Sequence, residues 1–307
     1  MRAAKFIIIP TVLITAIFLK TKDNPEYAKP IAKANGIYAL QVNNLYIEVD
    51  SKNGGRISSF KLGNEEFLSS VNINADNWGS TFWTSPQSAW GWPPSDQIDK
   101  DQYSAKLQDN RFVLTSAKDE KLSFIVSKEF YGNLTDTSLV VKYTITNNAA
   151  IPQAVAAWEI TRVSPNGLSY FPSGKKMKKG DLAPLTEDSK GITWYNYNGD
   201  KIPPGVPKLI SDGSEGWFAQ VNKGIILVKK FKDVSVEKMA PEEGEIELYA
   251  NPDKSYIEIE QQGEYTTLIP GESLTWEVKW YLRKLPKGIV AEPGNDKLIR
   301  YTKSIGK

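Results

Sequence analysis

The chain has 307 residues, 40% of them apolar and 11% aromatic, and a formal net charge of +2. That length and apolar content suffice for a sizeable core, as one large domain or two smaller ones, and exclude disorder, while the near-neutral charge supplies no global field for nucleic acid. Neither histidine nor cysteine occurs, which excludes disulfides, thiolates, imidazole bases, Ser-His triads and His- or Cys-ligated metals, and leaves acid–base work to Asp, Glu, Lys or Tyr.

Residues 1–22 carry Arg2 and Lys5, an apolar run from Phe6 to Leu19, then Lys20 and Lys22. A charged start followed by an apolar run shorter than the ~20 residues of a spanning helix is the pattern of an export signal. No small-x-small site follows Leu19 directly, so a cleaved signal peptide and a retained N-terminal membrane anchor both stay open. The expectation is an exported chain, periplasmic or membrane-anchored facing the periplasm. Residues 23–36, with Pro25 and Pro30, read as a linker.

From Ile37 onward, short alternating runs lie between clusters of Gly, Asn, Asp and Pro. Tyr38 to Val49, Gly55 to Leu62, Phe112 to Thr115, Leu122 to Phe130, Ser138 to Thr146 and Ala154 to Val163 read as strands. Gly216 to Val221, Gly224 to Phe231 and Glu245 to Tyr249 follow, and the segment from Tyr256 to Leu282 reads as two strands around a Pro270-Gly271 turn. Residues 164–215 show the weakest strand pattern and read as a loop layer over one end of the sheet. No amphipathic helix stands out before the tail at 287–307, and no fixed-period repeat is present. The expected fold is all-β, a single large antiparallel β-sandwich over residues 37–286.

Three stretches could carry chemistry. Residues 77–94 place Trp78, Phe82, Trp83, Trp90 and Trp92 among Gly, Ser and Pro, read as irregular backbone. Flat indoles beside Ser85, Gln87 and Ser88 suit a sugar, which presents C–H faces and hydroxyls together; equally, some of these tryptophans would plug the open end of the sandwich. In Ala154 to Val163, alternation sets Val155, Ala157, Glu159 and Thr161 on one face and Trp158, Ile160 and Arg162 on the other. A carboxylate in so apolar a strand needs Arg162, a Lys or a ligand hydroxyl to satisfy it. In the segment from Tyr256, Glu258, Glu260 and Gln262 share one face and Ile257 and Ile259 the other.

Other features are read as background. The basic loop of Lys175, Lys176, Lys178 and Lys179 suits a solvated surface, or else an acidic sugar or membrane. Asp96, Asp99 and Asp101 lack the spacing and glycine of a calcium loop. No phosphate loop or basic-aromatic nucleic-acid pattern is present, so neither a cofactor nor a metal is implied.

Asn44 to Leu68, the region from Val140 through Val163, and IEIEQQG followed by L-I-P-G-E-S are similar to segments of the galactose mutarotase-like (aldose 1-epimerase-like) superfamily. The resemblance is closest to an uncharacterised branch, a domain family of unknown function common in exported bacterial proteins. It spans most of residues 37–285 and implies the family's β-supersandwich with a sugar groove on a concave sheet face. Carried over, the family's catalytic glutamate falls on Glu260, with Gln262 as its accompanying glutamine. The family's histidine acid falls near Trp158-Glu159, where this chain has no imidazole and Glu159 would substitute. The expected function is thus a carbohydrate-binding, aldose-epimerase-like protein of the envelope, with Glu260 and Glu159 as base and acid. Trp83, Gln87, Trp90, Trp92, Gln262 and Arg162 would form the sugar site. The alternatives are a non-catalytic glycan recognition or scaffold protein, and a glycoside hydrolase or lyase using the two carboxylates.

Overall fold

A computed structural model describes residues 26–175 and 178–307; the expected export signal at residues 1–22 lies outside them. Two large antiparallel sheets face each other. The first runs in the order Ile31–Ala32, Ile37–Val42, Leu45–Asp50, Arg56–Leu62, Ser80–Ser85, Gln153–Val163, Ile257–Gln262, Ile246–Ala250 and Lys208–Ser211. The second runs Glu187–Ser189, Ile192–Asn196, Leu168–Pro172, Trp217–Asn222, Ile225–Lys230, Ser273–Lys284, Ser138–Asn147, Phe124–Asn133, Phe112–Thr115 and Ser104–Leu107. The expected β-sandwich is the observed architecture.

Alternation explains which side chains fill it. Leu45, Ile47 and Val49 of the first sheet and Leu139, Val141, Tyr143 and Ile145 of the second point inward and join one core cluster. Tyr143 stacks on Phe82 across the gap with ring centroids 4.3 Å apart, so the two inner faces interdigitate as sandwich sheets do. Where Tyr38 to Val49 read as one strand, the chain folds into a hairpin at Asn43, whose φ of 53° is the left-handed conformation that asparagine tolerates in tight turns.

Three segments differ from expectation. The tryptophan-rich stretch is not wholly irregular: Ser80–Ser85 is a strand between Arg56–Leu62 and Gln153–Val163, and all six residues are buried. A strand covered on both faces shows no polar alternation, which is why its period was invisible. Residues 164–215 are not a loop layer either. Leu168–Pro172, Glu187–Ser189 and Ile192–Asn196 extend the second sheet, and Lys208–Ser211 is the edge of the first.

The two ends of the described chain are docked rather than loose. Ala28 is buried and its N–H bonds the Gly132 carbonyl, while Ile31–Ala32 pairs with Tyr38 and Ala39, so the segment expected as a linker adds an edge strand. The tail forms a helix over Asp296–Ser304, begun by Asn295, whose side chain accepts from the N–H groups of Lys297 and Leu298. Leu298 and Ile305 cover the outward face of the second sheet against Tyr170, Trp194, Trp217, Val228 and Tyr281. Among the described residues no helix is long and apolar enough to cross a membrane.

Candidate functional site

A cleft of about 440 Å³ lies on the outward face of the first sheet. Its floor is made by three adjacent strands whose alternate residues point outward together. Arg162 stands opposite Glu258 and Ile160 opposite Glu260 in one pairing, and Glu260 opposite Glu247 in the next. Two-residue periodicity therefore places Trp158 and Arg162, Glu258 and Glu260, and Glu247 and Tyr249 on a single surface. The lining comprises Trp83, Trp92, Trp158, Tyr249, Tyr256 and Val206, with Asn77, Gln87, Lys208, Glu258 and Glu260 among them. Aromatic faces thus surround a small number of polar groups.

Glu260 is the chemically distinctive member. Its Oε2 accepts the indole N–H of Trp158 at 2.9 Å and lies 3.8 Å from the Lys208 ammonium. Lys208 sits 2.5 Å from Glu247 and 4.8 Å from the Trp158 ring centroid. Burial pushes the Glu260 carboxyl up to about 7, against the pull of Lys208 and with added repulsion from Glu258. Glu247, fully buried, is raised well above the carboxylate range by the same desolvation, again opposed by Lys208. Burial alone would lower Lys208, but the facing carboxylates of Glu260 and Glu247 outweigh it and hold the ammonium above the ordinary lysine range. Two carboxyls and one lysine consequently share charge and proton across the floor.

The remaining polar groups brace this floor. Arg162 donates to Glu258 at 2.7 Å and to Thr81 at 2.6 Å, with its guanidinium 5.3 Å from the Trp83 ring centroid. Gln262 donates to Glu247 at 3.0 Å and accepts from the Ser85 hydroxyl at 2.6 Å. Trp83 is held from behind by Asp99, which accepts its indole N–H at 2.8 Å, and Asp99 also lies 3.6 Å from Arg56.

Of the residues singled out from the sequence, Trp83, Gln87, Trp92 and Glu260 line the cleft. Arg162 and Gln262 support it from within the sheet. Trp90 packs edge-on to Trp83, with centroids 6.0 Å apart, and donates its N–H to the Thr84 carbonyl; it braces the wall rather than lining it. Glu159 is not brought to Glu260. It points into the sandwich, fully buried, 2.7 Å from the Lys229 ammonium, and accepts from Tyr143, Gln261 and Trp280. This corrects the expectation of a base–acid pair across one groove, because alternation along the strand sends Glu159 to the face opposite Trp158. Sequence reasoning missed Trp158, Lys208, Tyr249 and Tyr256 as site residues. For Trp158 the signal was present, since it shares a face with Arg162; Lys208 lay in the stretch with no readable period.

A family model described as a domain of unknown function, DUF4380, matches residues 38–283. Among solved structures, a galactose mutarotase-like protein from Lactobacillus casei superposes with a TM-score of 0.58 at 13% identity, over 81% of this chain and 100% of the other. A galactose mutarotase-like protein from Clostridium acetobutylicum gives 0.56 at 11% identity, over 85% and 99%. The galactose 1-epimerase of Lactobacillus acidophilus gives 0.52 at 13% identity, over 85% and 98%. No curated protein matches the chain. At these identities the likeness is one of fold.

Proposed function

The chain belongs to the DUF4380 family and has the galactose mutarotase-like fold, and from that premise we propose that it binds carbohydrate in the cleft above Glu260, as an exported protein of the bacterial envelope. The observation that carries this reading is Glu260 itself: a buried carboxyl, fixed by the Trp158 indole, on a floor walled by Trp83, Trp92, Tyr249 and Tyr256. Aromatic faces take the C–H surface of a sugar ring, and an oriented carboxylate takes its hydroxyls. A carboxyl poised near neutrality also suits anomer exchange. In that reaction Glu260 removes the proton of the anomeric hydroxyl, the bond between the anomeric carbon and the ring oxygen breaks, and the ring oxygen takes a proton from water. Tyr249 and Tyr256 line the same cleft.

Recognition without turnover is the second reading. The absence of histidine and the inward orientation of Glu159 favour it, since both remove an acid from across the cleft. The two readings separate by NMR exchange measurements on a panel of aldoses, paired with ligand-observed binding experiments. Catalysis requires exchange faster than the uncatalysed rate, lost in Glu260→Gln. Binding with exchange at the uncatalysed rate leaves recognition, and an absence of binding to every sugar removes the carbohydrate reading.

A further inference from the structure

We infer that the cleft takes a neutral glycan of two or more sugar residues, with its second residue against a subsite formed by Trp92 and Val206. The inference rests on the carbohydrate reading above and deepens it. Three indoles climb out of the floor. Trp158 is 1% exposed, Trp83 6% and Trp92 64%, and successive rings meet edge to face, Trp158 to Trp83 at 5.4 Å and Trp83 to Trp92 at 5.9 Å between centroids. Val206, on the lining with Trp92, is 70% exposed. A monosaccharide held by Glu260 on the floor would leave this outer apolar surface in water. Exposed apolar surface continuous with a polar, pre-formed cleft marks a place where more ligand is covered.

The charges on the lining set the ligand's charge. Glu258 is engaged by Arg162 at 2.7 Å, and Lys208 by Glu247 at 2.5 Å with Glu260 at 3.8 Å. Neither cation is left without a carboxylate partner. An acidic sugar would therefore find Arg162 and Lys208 already engaged, and would have to compete with Glu258, Glu247 and Glu260 for them in a partly desolvated site. Neutral hydroxyls instead find carboxylate acceptors and the Asn77 and Gln87 amides.

The test is calorimetric titration of the protein with glucose and galactose, and with malto-, cello-, laminari- and galacto-oligosaccharides of two to four residues. Glucuronic acid and digalacturonic acid are the charged probes. In the series that binds, the disaccharide is expected to bind about fivefold tighter than its monosaccharide, the increment of one stacked ring. In Trp92→Ala that ratio falls to about one, and Val206→Ser lowers it in the same direction. The uronic acids bind at least about tenfold more weakly than their neutral counterparts. A flat length dependence in the unmodified protein, an unaltered ratio in Trp92→Ala, or tighter binding of the uronic acids overturns the inference while the carbohydrate reading stands. If no saccharide of any length binds, the carbohydrate reading fails and this one with it.

Discussion

Glu159 and Glu260 stand on neighbouring strands of one sheet and point to opposite sides of it. Glu159 accepts from Tyr143 and Trp280 of the facing sheet, whereas Glu260 accepts from Trp158 in the outward cleft. A two-carboxylate mechanism needs both groups flanking one scissile bond, so this pair does not supply one. The partner that Glu260 does have is Lys208, which it shares with Glu247. Any chemistry at the cleft would therefore rest on one carboxyl whose proton affinity is set by burial and on one lysine.

Replacing that lysine has a direction fixed by its charge. Lys208 is the strongest influence opposing the burial that raises Glu260 to about 7. In Lys208→Met the Glu260 carboxyl is expected to titrate above 7, and Glu247 to hold its proton more firmly still. A carbon-detected NMR titration of the glutamate side chains, with Glu260→Gln assigning the resonance, reads this without any ligand. If sugar binding requires the ionised carboxylate, affinity in the unmodified protein rises as pH passes upward through about 7, and in Lys208→Met that rise moves to higher pH. A Glu260 titration that stays in place would show that Lys208 does not set the charge of the floor.

The second carboxylate has a structural role with its own signature. Glu159 and Lys229 form a fully buried ion pair 2.7 Å apart, and Lys229 also donates to Thr161. Lys229→Met leaves the Glu159 charge uncompensated and is expected to cost about 3–5 kcal/mol in urea unfolding. The double variant Glu159→Gln with Lys229→Met should lose less, since neither group is then ionised. Equal losses in the single and double variants would mean that packing around Lys229, not charge pairing, dominates.

These two acids also show what was legible in the sequence. Period-two alternation assigned the faces of Ala154–Val163 and of the strand bearing Glu260 correctly, and with them the sandwich. What alternation cannot say is which face of a sheet looks inward when both are buried, and the central strands of the first sheet are covered on both sides. Glu159 is conspicuous as a carboxylate in an apolar strand, yet its partner Lys229 is 70 residues away and reads locally as a strand-end lysine. Lys208 was unreadable for a different reason: its strand has four residues, Lys208–Ser211, too few to display a period. The tail helix was equally quiet, because its apolar residues Leu298, Ile299 and Tyr301, with Ile305 just past its end, stand amid charged residues, and its value lies in the sheet it covers.

That helix yields a stability prediction. Leu298 is fully buried against the aromatic outward face of the second sheet. Leu298→Ala is expected to destabilise by about 2–5 kcal/mol, the range for a buried leucine truncated beside neighbours that collapse only in part. Urea unfolding measures the loss, and limited proteolysis should then cut first within 287–307. A loss below about 0.5 kcal/mol would place this residue among surface substitutions and make the tail an appendage rather than part of the fold.

Lys128 provides the pH dependence. It is buried beneath the Gly54-Gly55 turn, with its ammonium donating to the Gly54 carbonyl at 2.6 Å and 5.0 Å from the Tyr103 ring centroid. Burial pushes it down to about 7, a fall that attraction to Asp99 only partly offsets. In the unfolded chain a lysine titrates near 10.4. Between about 7 and 10 the unfolded state therefore binds more protons at this position, and the linkage relation makes the contribution of Lys128 to stability rise with pH across that window. Below about 7 both states are protonated and the cost of burying the ammonium is present in full. Lys128→Met removes that cost together with the hydrogen bond to Gly54. The unfolding free energy of the unmodified protein minus that of Lys128→Met should accordingly increase from pH 6 to pH 10, by an amount on the order of a few kcal/mol if the shift is of about three units. Tyrosine ionisation near pH 10 is common to both proteins and largely cancels in the difference. Urea titrations at pH 6, 8 and 10 measure it, and a difference that is flat or falls with pH would mean that Lys128 keeps its proton in the folded core.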